Sequence, residues 1–229
     1  MTEIKTKGKL LSEKQIEIIV AIMLGVTALF SAGASWIGSL HGGNQATNYA
    51  MSNNLAAEGN ADYVQSMQLF TMDAMHWNEI NGMMVEEKFN PTSDGKFEER
   101  IQYILTNCSN DQFPSAVAWA MQNSTDDAFT SPFEMEGFVE TYFADANAKL
   151  AESQKYLEQG QQDNANGDAY NLVTVIFTVV LFMLGITGTF KSLPNREIIV
   201  LISILVFVIG VIYMCTIPLP TGFNLCSFF

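Results

Sequence analysis

Basic side chains are scarce in this chain: 11 Lys and Arg stand against 24 Asp and Glu, giving a formal net charge of −13. That balance excludes nucleic acid as a partner, because binding a phosphate backbone needs clustered cations. Histidines number two and cysteines three; the thiols are too few for a Cys-based metal site and odd in number for a disulfide framework. Cys108, Cys215 and Cys226 read as unpaired thiols. Prolines number six, and the first is Pro91, so nothing in the first ninety residues need break a helix. The sequence has no phosphate-cradling glycine loop, no Ser/His/Asp ordering and no nucleophile elbow. Neither an enzymatic activity nor a cofactor is therefore expected.

Charge is missing altogether from three long apolar runs, Ile18–Ile37, Leu172–Phe190 and Ile198–Ile217. The first has twenty residues; at about 1.5 Å per residue it matches a hydrocarbon core of about 30 Å. These runs predict an all-α membrane protein with this order: leader 1–15, span 16–40, acidic insert 41–170, span 171–190, turn 191–197, span 198–217 and tail 218–229. The acidity is concentrated in the insert, where residues 41–171 carry five basic and twenty acidic side chains. Lys5, Lys7, Lys9 and Lys14 precede the first span, and Lys191 and Arg196 lie between the second and third. By the positive-inside rule these basic stretches face the cytoplasm, which places residues 41–170 outside. A competing reading takes the first run as a cleaved signal peptide, with Ala32-Gly33-Ala34 as the A-x-A site. Its length, continued through Trp36 and Ile37, favours an uncleaved anchor.

Read every 3.5 residues, a seam of small residues runs through Ala21, Gly25, Ala28 and Ala32. It continues as Tyr49, Asn53, Asn60, Tyr63, Met67, Phe70 and Trp77. Small residues suit close helix contact in lipid, and an apolar seam with polar register-setters suits a coiled coil in water. One helix from about Glu13 to about Val85 is expected, with Gly42-Gly43 as its weakest point. The turn cluster Asn90–Gly95 ends it. Short helices are expected over Phe97–Leu105 and Ser115–Gln122. Ser131-Pro132 then opens a return helix running from about Phe133 to Phe190, with Phe138, Tyr142, Leu150 and Leu157 on its contact side. Together these features predict a long antiparallel extracytoplasmic hairpin capped by short helices. The third span shows little packing face apart from Gly210.

Several short motifs fall along this plan. They are Trp36 followed by Gly43-Asn44-Gln45-Ala46, then Ser131-Pro132-Phe133-Glu134-Met135, Gly160-Gln161 with Asn164, and Gly167-Asp168-Ala169-Tyr170. In these the chain resembles a group of uncharacterised bacterial membrane proteins with one N-terminal and two C-terminal spans. The resemblance implies the architecture and brings no catalytic residues.

Asp73-x-x-His76-x-x-Glu79 puts three potential metal ligands on one helical face, half of the carboxylate/His spacing of di-iron bundles. The second half is missing, and a solvated acidic face explains the trio without a metal. His41 falls just beyond the first span, where a polar ring at headgroup level is ordinary. The expected role is a membrane-anchored scaffold, accessory or sensor-like module. Its partners would be the lipid bilayer and another membrane or envelope protein, or itself. The alternative is a subunit of an oligomeric channel or transport assembly.

Overall fold

The computed structural model describes residues 12–91, 96–108, 110–125, 128–190 and 195–223. Among them there is no strand. The helices are α1 (Glu13–Phe89), α2 (Lys96–Thr106), α3 (Phe113–Asn123), α4 (Phe138–Thr189) and α5 (Arg196–Thr216), with a 3-10 turn at Pro132–Glu134. Helices α1, α4 and α5 are each long and apolar enough to cross a membrane. Lys5, Lys7, Lys9, Thr92–Gly95, Lys191, Pro194 and Cys226 lie outside the described residues.

Helix α1 outlasts the expected end at Val85 by one turn and stays helical through Gly42-Gly43. On either side of that pair, Ser39 and Thr47 return their hydroxyls to the carbonyls of Ser35 and Gly43, one turn back. The return helix departs from expectation. A capping box closes the 3-10 turn: Ser131 Oγ accepts from the Phe133 amide, and Glu134 Oε1 accepts from the Ser131 amide. The chain then passes through Gly137 at φ +78°, a conformation glycine tolerates and a helix interior does not. Helix α4 therefore starts only at Phe138.

The chain forms two compact units, one of Met1–Ala50 with Leu157–Phe229 and the other of Met51–Tyr156. The second is shorter at both ends than the acidic insert.

In the first unit, Phe30 of α1, Phe177 of α4 and Phe207 of α5 meet with ring centroids 5.4–6.0 Å apart. Val20, Val180, Leu184 and Val200 are buried in a neighbouring cluster. Helix α5 does carry a packing stripe, with Val200, Ser203 and Gly210 buried. A Cβ on Gly210 would come within 2.8 Å of the Phe177 ring. Arg196 is buried rather than displayed at the expected cytoplasmic turn, and its Nε donates to the Thr187 carbonyl at 2.7 Å. A cation at that place offsets the unpaired carbonyls ending α4.

In the second unit, Trp77, Ile80 and Met83 of α1, Ile104 of α2, Phe113 and Val117 of α3, and Phe138 and Tyr142 of α4 make one apolar cluster. Away from it, α1 meets α4 through Ser52 and Ser153, whose hydroxyls lie 3.2 Å apart. Lys149 reaches Asp62 at 2.8 Å and Glu58 at 3.4 Å, so the hydrogen bonds it donates to the two carboxylates, chiefly Asp62, raise its pKa. The pair is solvent-screened and adds little stability.

The contact register of α1 corrects the expected seam. Ala21, Gly25, Ala28, Ala32, Asn53, Asn60, Tyr63 and Met67 are exposed. Buried instead are Ile16, Val20, Thr27, Ala34, Gly38 and His41, then Ser52, Gly59, Ser66, Asp73 and Ile80 at seven-residue intervals. Tyr49, Phe70, Leu150 and Leu157 are half-buried, while Trp77, Phe138 and Tyr142 are buried. The buried positions from Val20 to Asp73 lie one residue before the expected ones, while Trp77 is buried on the expected phase. In a wholly apolar run, hydropathy cannot separate lipid-facing from protein-facing positions, and small residues occur on both.

Two glycines on α1 test this register. A Cβ on Gly59 would meet Leu150 Cγ at 2.9 Å and the Ala146 carbonyl at 3.2 Å, whereas one on Gly82 would meet nothing within 4 Å. Gly59→Ala is expected to destabilise by about 1–3 kcal/mol through overpacking. Gly82→Ala should stabilise by roughly 0.5–1 kcal/mol through helix propensity. Thermal unfolding of both variants in detergent, monitored by circular dichroism, reads the difference.

Candidate functional site

Among the polar side chains that the heptad stripe carries into the interior, two are ionisable, one in each unit. In the second unit Asp73 is fully buried. Its Oδ2 accepts from the Tyr142 hydroxyl at 2.8 Å and from the Asn110 amide at 3.0 Å, and its Oδ1 lies 3.2 Å from His76 Nδ1. Asn110 is held in turn by its Nδ2, which donates to Thr141 Oγ1 at 2.9 Å. One carboxylate thus joins α1, the segment between α2 and α3, and α4. Burial, then the hydrogen bond to Asp73 and its charge, hold the Tyr142 hydroxyl well above the ordinary phenol range. Burial first and the Asp73 charge next push the Cys108 thiol up as well. A protonated thiol is a poor nucleophile and a poor metal ligand.

The trio Asp73, His76 and Glu79 does not converge. Glu79 is half-exposed and turned to Arg100, 3.3 Å away. Asp73 is already occupied by its own donors. The solvated-face reading fails for Asp73, which lies on the buried stripe, and suits Glu79. Among the described residues no group of three or more His, Cys, Asp or Glu side chains is placed to hold a metal ion.

In the first unit His41 is 1% exposed. Its Nδ1 lies 2.9 Å from Asp163 Oδ1 and its Nε2 lies 3.1 Å from the Pro218 carbonyl. Asn48 Nδ2 donates to Asp163 Oδ2 at 3.0 Å, and Tyr170 lays its ring along the imidazole at 5.8 Å. Beyond the pair opens a cleft of about 500 Å³, bordered by α1, α4 and the segment after α5, and rich in side-chain amides such as Asn44, Gln162 and Asn166. The segment after α5 is fastened over α1 at two further points. Asn44 Nδ2 donates to the Thr221 carbonyl at 3.2 Å, and Phe223 packs on Trp36 with centroids 5.7 Å apart.

No family model, curated protein or solved structure matches this chain. What the two clusters do must therefore be read from their own geometry.

Asp73 is engaged by Tyr142, Asn110 and His76, and His41 by Asp163 and the Pro218 carbonyl. Sequence reading left His41 without a partner because Asp163 lies 122 positions away. The available signal was periodic: His41 continues the series Val20, Thr27, Ala34, and Asp73 continues Ser52, Gly59, Ser66. A polar residue in phase with a buried stripe faces inward, and must find a partner there.

The raised Tyr142 pKa fixes a sign for stability against pH. The folded chain keeps the phenol proton above the pH at which the unfolded chain releases it, so stability is complete below about pH 10 and falls above it. Tyr142→Phe is expected to cost about 1–3 kcal/mol near neutrality, by leaving Asp73 a donor short. It should also remove this residue's share of the alkaline loss. Urea unfolding of wild type and variant at about pH 8 and about pH 11 checks both, since the gap between them should narrow at the higher pH.

Proposed function

We propose that the chain is a membrane-anchored helical interaction module. Helices α1, α4 and α5 span the bacterial plasma membrane, the N-terminal leader is cytoplasmic, and the acidic part stands outside as an antiparallel helical hairpin capped by α2 and α3. The pairings of Ser52 with Ser153, Gly59 with Leu150 and Phe70 with Tyr142 support this course, because partner numbers on α4 fall as those on α1 rise. The short-motif resemblance to bacterial three-span proteins is consistent with it.

One observation carries the interaction role. In the second unit, outside the apolar windows, α1 presents Val64, Met67 and Met75 to solvent, with Met75 66% and Val64 59% exposed. Flexible, polarisable methionines on a water-facing helix suit adaptable protein contacts. The partner is another envelope protein or a second copy of this chain. A specific observation also keeps the alternative of an oligomeric channel or transport subunit: Ala21, Gly25, Ala28 and Ala32 face outward, where a neighbouring helix in lipid can approach closely. Ion flux in liposomes holding only this protein distinguishes that reading.

Two measurements test the proposal. Maleimide labelling of intact cells should modify Glu136→Cys and spare Lys14→Cys, and the opposite pattern contradicts the orientation. Cross-linking in native membranes followed by mass spectrometry should recover a discrete partner with the wild-type chain, at least about tenfold less with Val64→Glu/Met75→Glu, the scale of one interface hot spot. Recovery of the chain alone under every condition contradicts an interaction role.

A further inference from the structure

Donor counting at His41 gives a consequence that the anchoring role does not contain. Both ring nitrogens face oxygen acceptors, Asp163 Oδ1 at 2.9 Å and the Pro218 carbonyl at 3.1 Å. A carbonyl cannot donate, and a neutral imidazole has a single N–H. Both contacts are hydrogen bonds only when the His41–Asp163 pair holds two protons, one on Nε2 and one shared between Nδ1 and Oδ1. On whichever side of the 2.9 Å contact that shared proton sits, the count is the same. Asp163 Oδ2 cannot relieve the shortage, because it already accepts from Asn48.

Removing one proton forces a choice. The carboxylate is the stronger acceptor, so the remaining N–H stays on Nδ1, and the bare lone pair of Nε2 then faces the Pro218 carbonyl. Two acceptors about 3 Å apart, one of them on a ring that is only 1% exposed, repel each other. The element that yields is the segment after α5. Beyond His41 its start is held by the Tyr170 hydroxyl on the Ile217 carbonyl and its remainder by the Asn44 bond to Thr221 and the Phe223–Trp36 contact, whereas α1 and α4 are locked by the aromatic cluster of the same unit.

We propose that the His41–Asp163 pair is a proton-controlled clamp that fastens the segment Pro218–Phe223 over the amide-lined cleft when protonated and releases it when one proton is lost. Other ionisable groups do not supply the effect. Apart from His41, the stretch of α1 from Ile18 to Ala57 has one titratable side chain, the phenol of Tyr49, and residues 217–223 have none. Helix α4 offers Asp163 itself, the stacked Tyr170, and Glu158 and Asp168, which are exposed; α5 offers Tyr213 and Cys215.

Hydrogen–deuterium exchange of the full chain in phosphatidylcholine nanodiscs tests the clamp. The amides of Leu219, Thr221, Gly222 and Phe223 are compared at about pH 5 and about pH 9, either side of the ordinary imidazole range, as protection factors normalised for intrinsic rate. Wild type should lose protection about tenfold or more at the higher pH, the scale of one charge-assisted hydrogen bond. In Asp163→Asn the new amide donates to Nδ1 while its oxygen still accepts from Asn48, so neutral His41 can donate Nε2–H to Pro218. This variant should keep the segment protected at both pH values, an outcome that simple disruption of a structural contact does not produce. His41→Gln should show protection that does not change with pH, whatever its level. Equal wild-type protection at both pH values, or an undiminished alkaline loss in either variant, overturns the proposal.

Discussion

Close approach of α1 to α4 along a seven-residue stripe is the constraint from which most of this structure follows. Where the stripe carries glycine, the opposing residue fills the place a Cβ would take: Leu150 against Gly59, and Tyr170 against Gly38. Where it carries serine, as at Ser52, hydroxyl meets hydroxyl. Small side chains let the helices come near enough for these contacts. The same narrowness means that any polar group on the stripe is cut off from water and must be answered from the facing helix. Helix α5 uses the device once more, with Gly210 against Phe177.

Asp73 and His41 show the consequence. Each is a costly residue to bury, and each is answered by partners distant in sequence: Tyr142 and Asn110 for the first, Asp163 and Pro218 for the second. Buried ionic groups of this kind are weak sources of net stability, because desolvation consumes most of the Coulombic gain. They are strong sources of registry. A slip of α4 along α1 by one heptad would leave Asp73 facing no hydroxyl and His41 facing no carboxylate.

Much of this was legible in the sequence. The absence of charge over Ile18–Ile37, Leu172–Phe190 and Ile198–Ile217 marked three helices long and apolar enough to cross a membrane. The absence of proline before Pro91 allowed α1 its full length. Ser131-Pro132 marked a helix start at about Phe133, but only a capped 3-10 turn forms there, and Gly137 delays α4 to Phe138. The phase of the stripe was harder to read. Alanines at 21 and 28 directly follow buried Val20 and Thr27, and composition does not rank the two phases. Partners on the far helix were harder still, because pairing depends on the alignment of two helices, a property of neither one. The decisive clue was which phase contained His41 and Asp73.

The register itself is the most direct thing to measure. In a background with the native cysteines replaced by serine, Ser52→Cys/Ser153→Cys and Asn53→Cys/Ser153→Cys place one thiol on the buried phase and on the exposed phase respectively. Disulfide formation needs Cβ atoms within about 4.5 Å, a distance consistent with the contact between the Ser52 and Ser153 hydroxyls. Rapid intramolecular oxidation of the Ser52 pair, with little for the Asn53 pair, is the predicted result. Faster oxidation of the Asn53 pair would contradict the stripe, and with it the placement of both buried polar clusters.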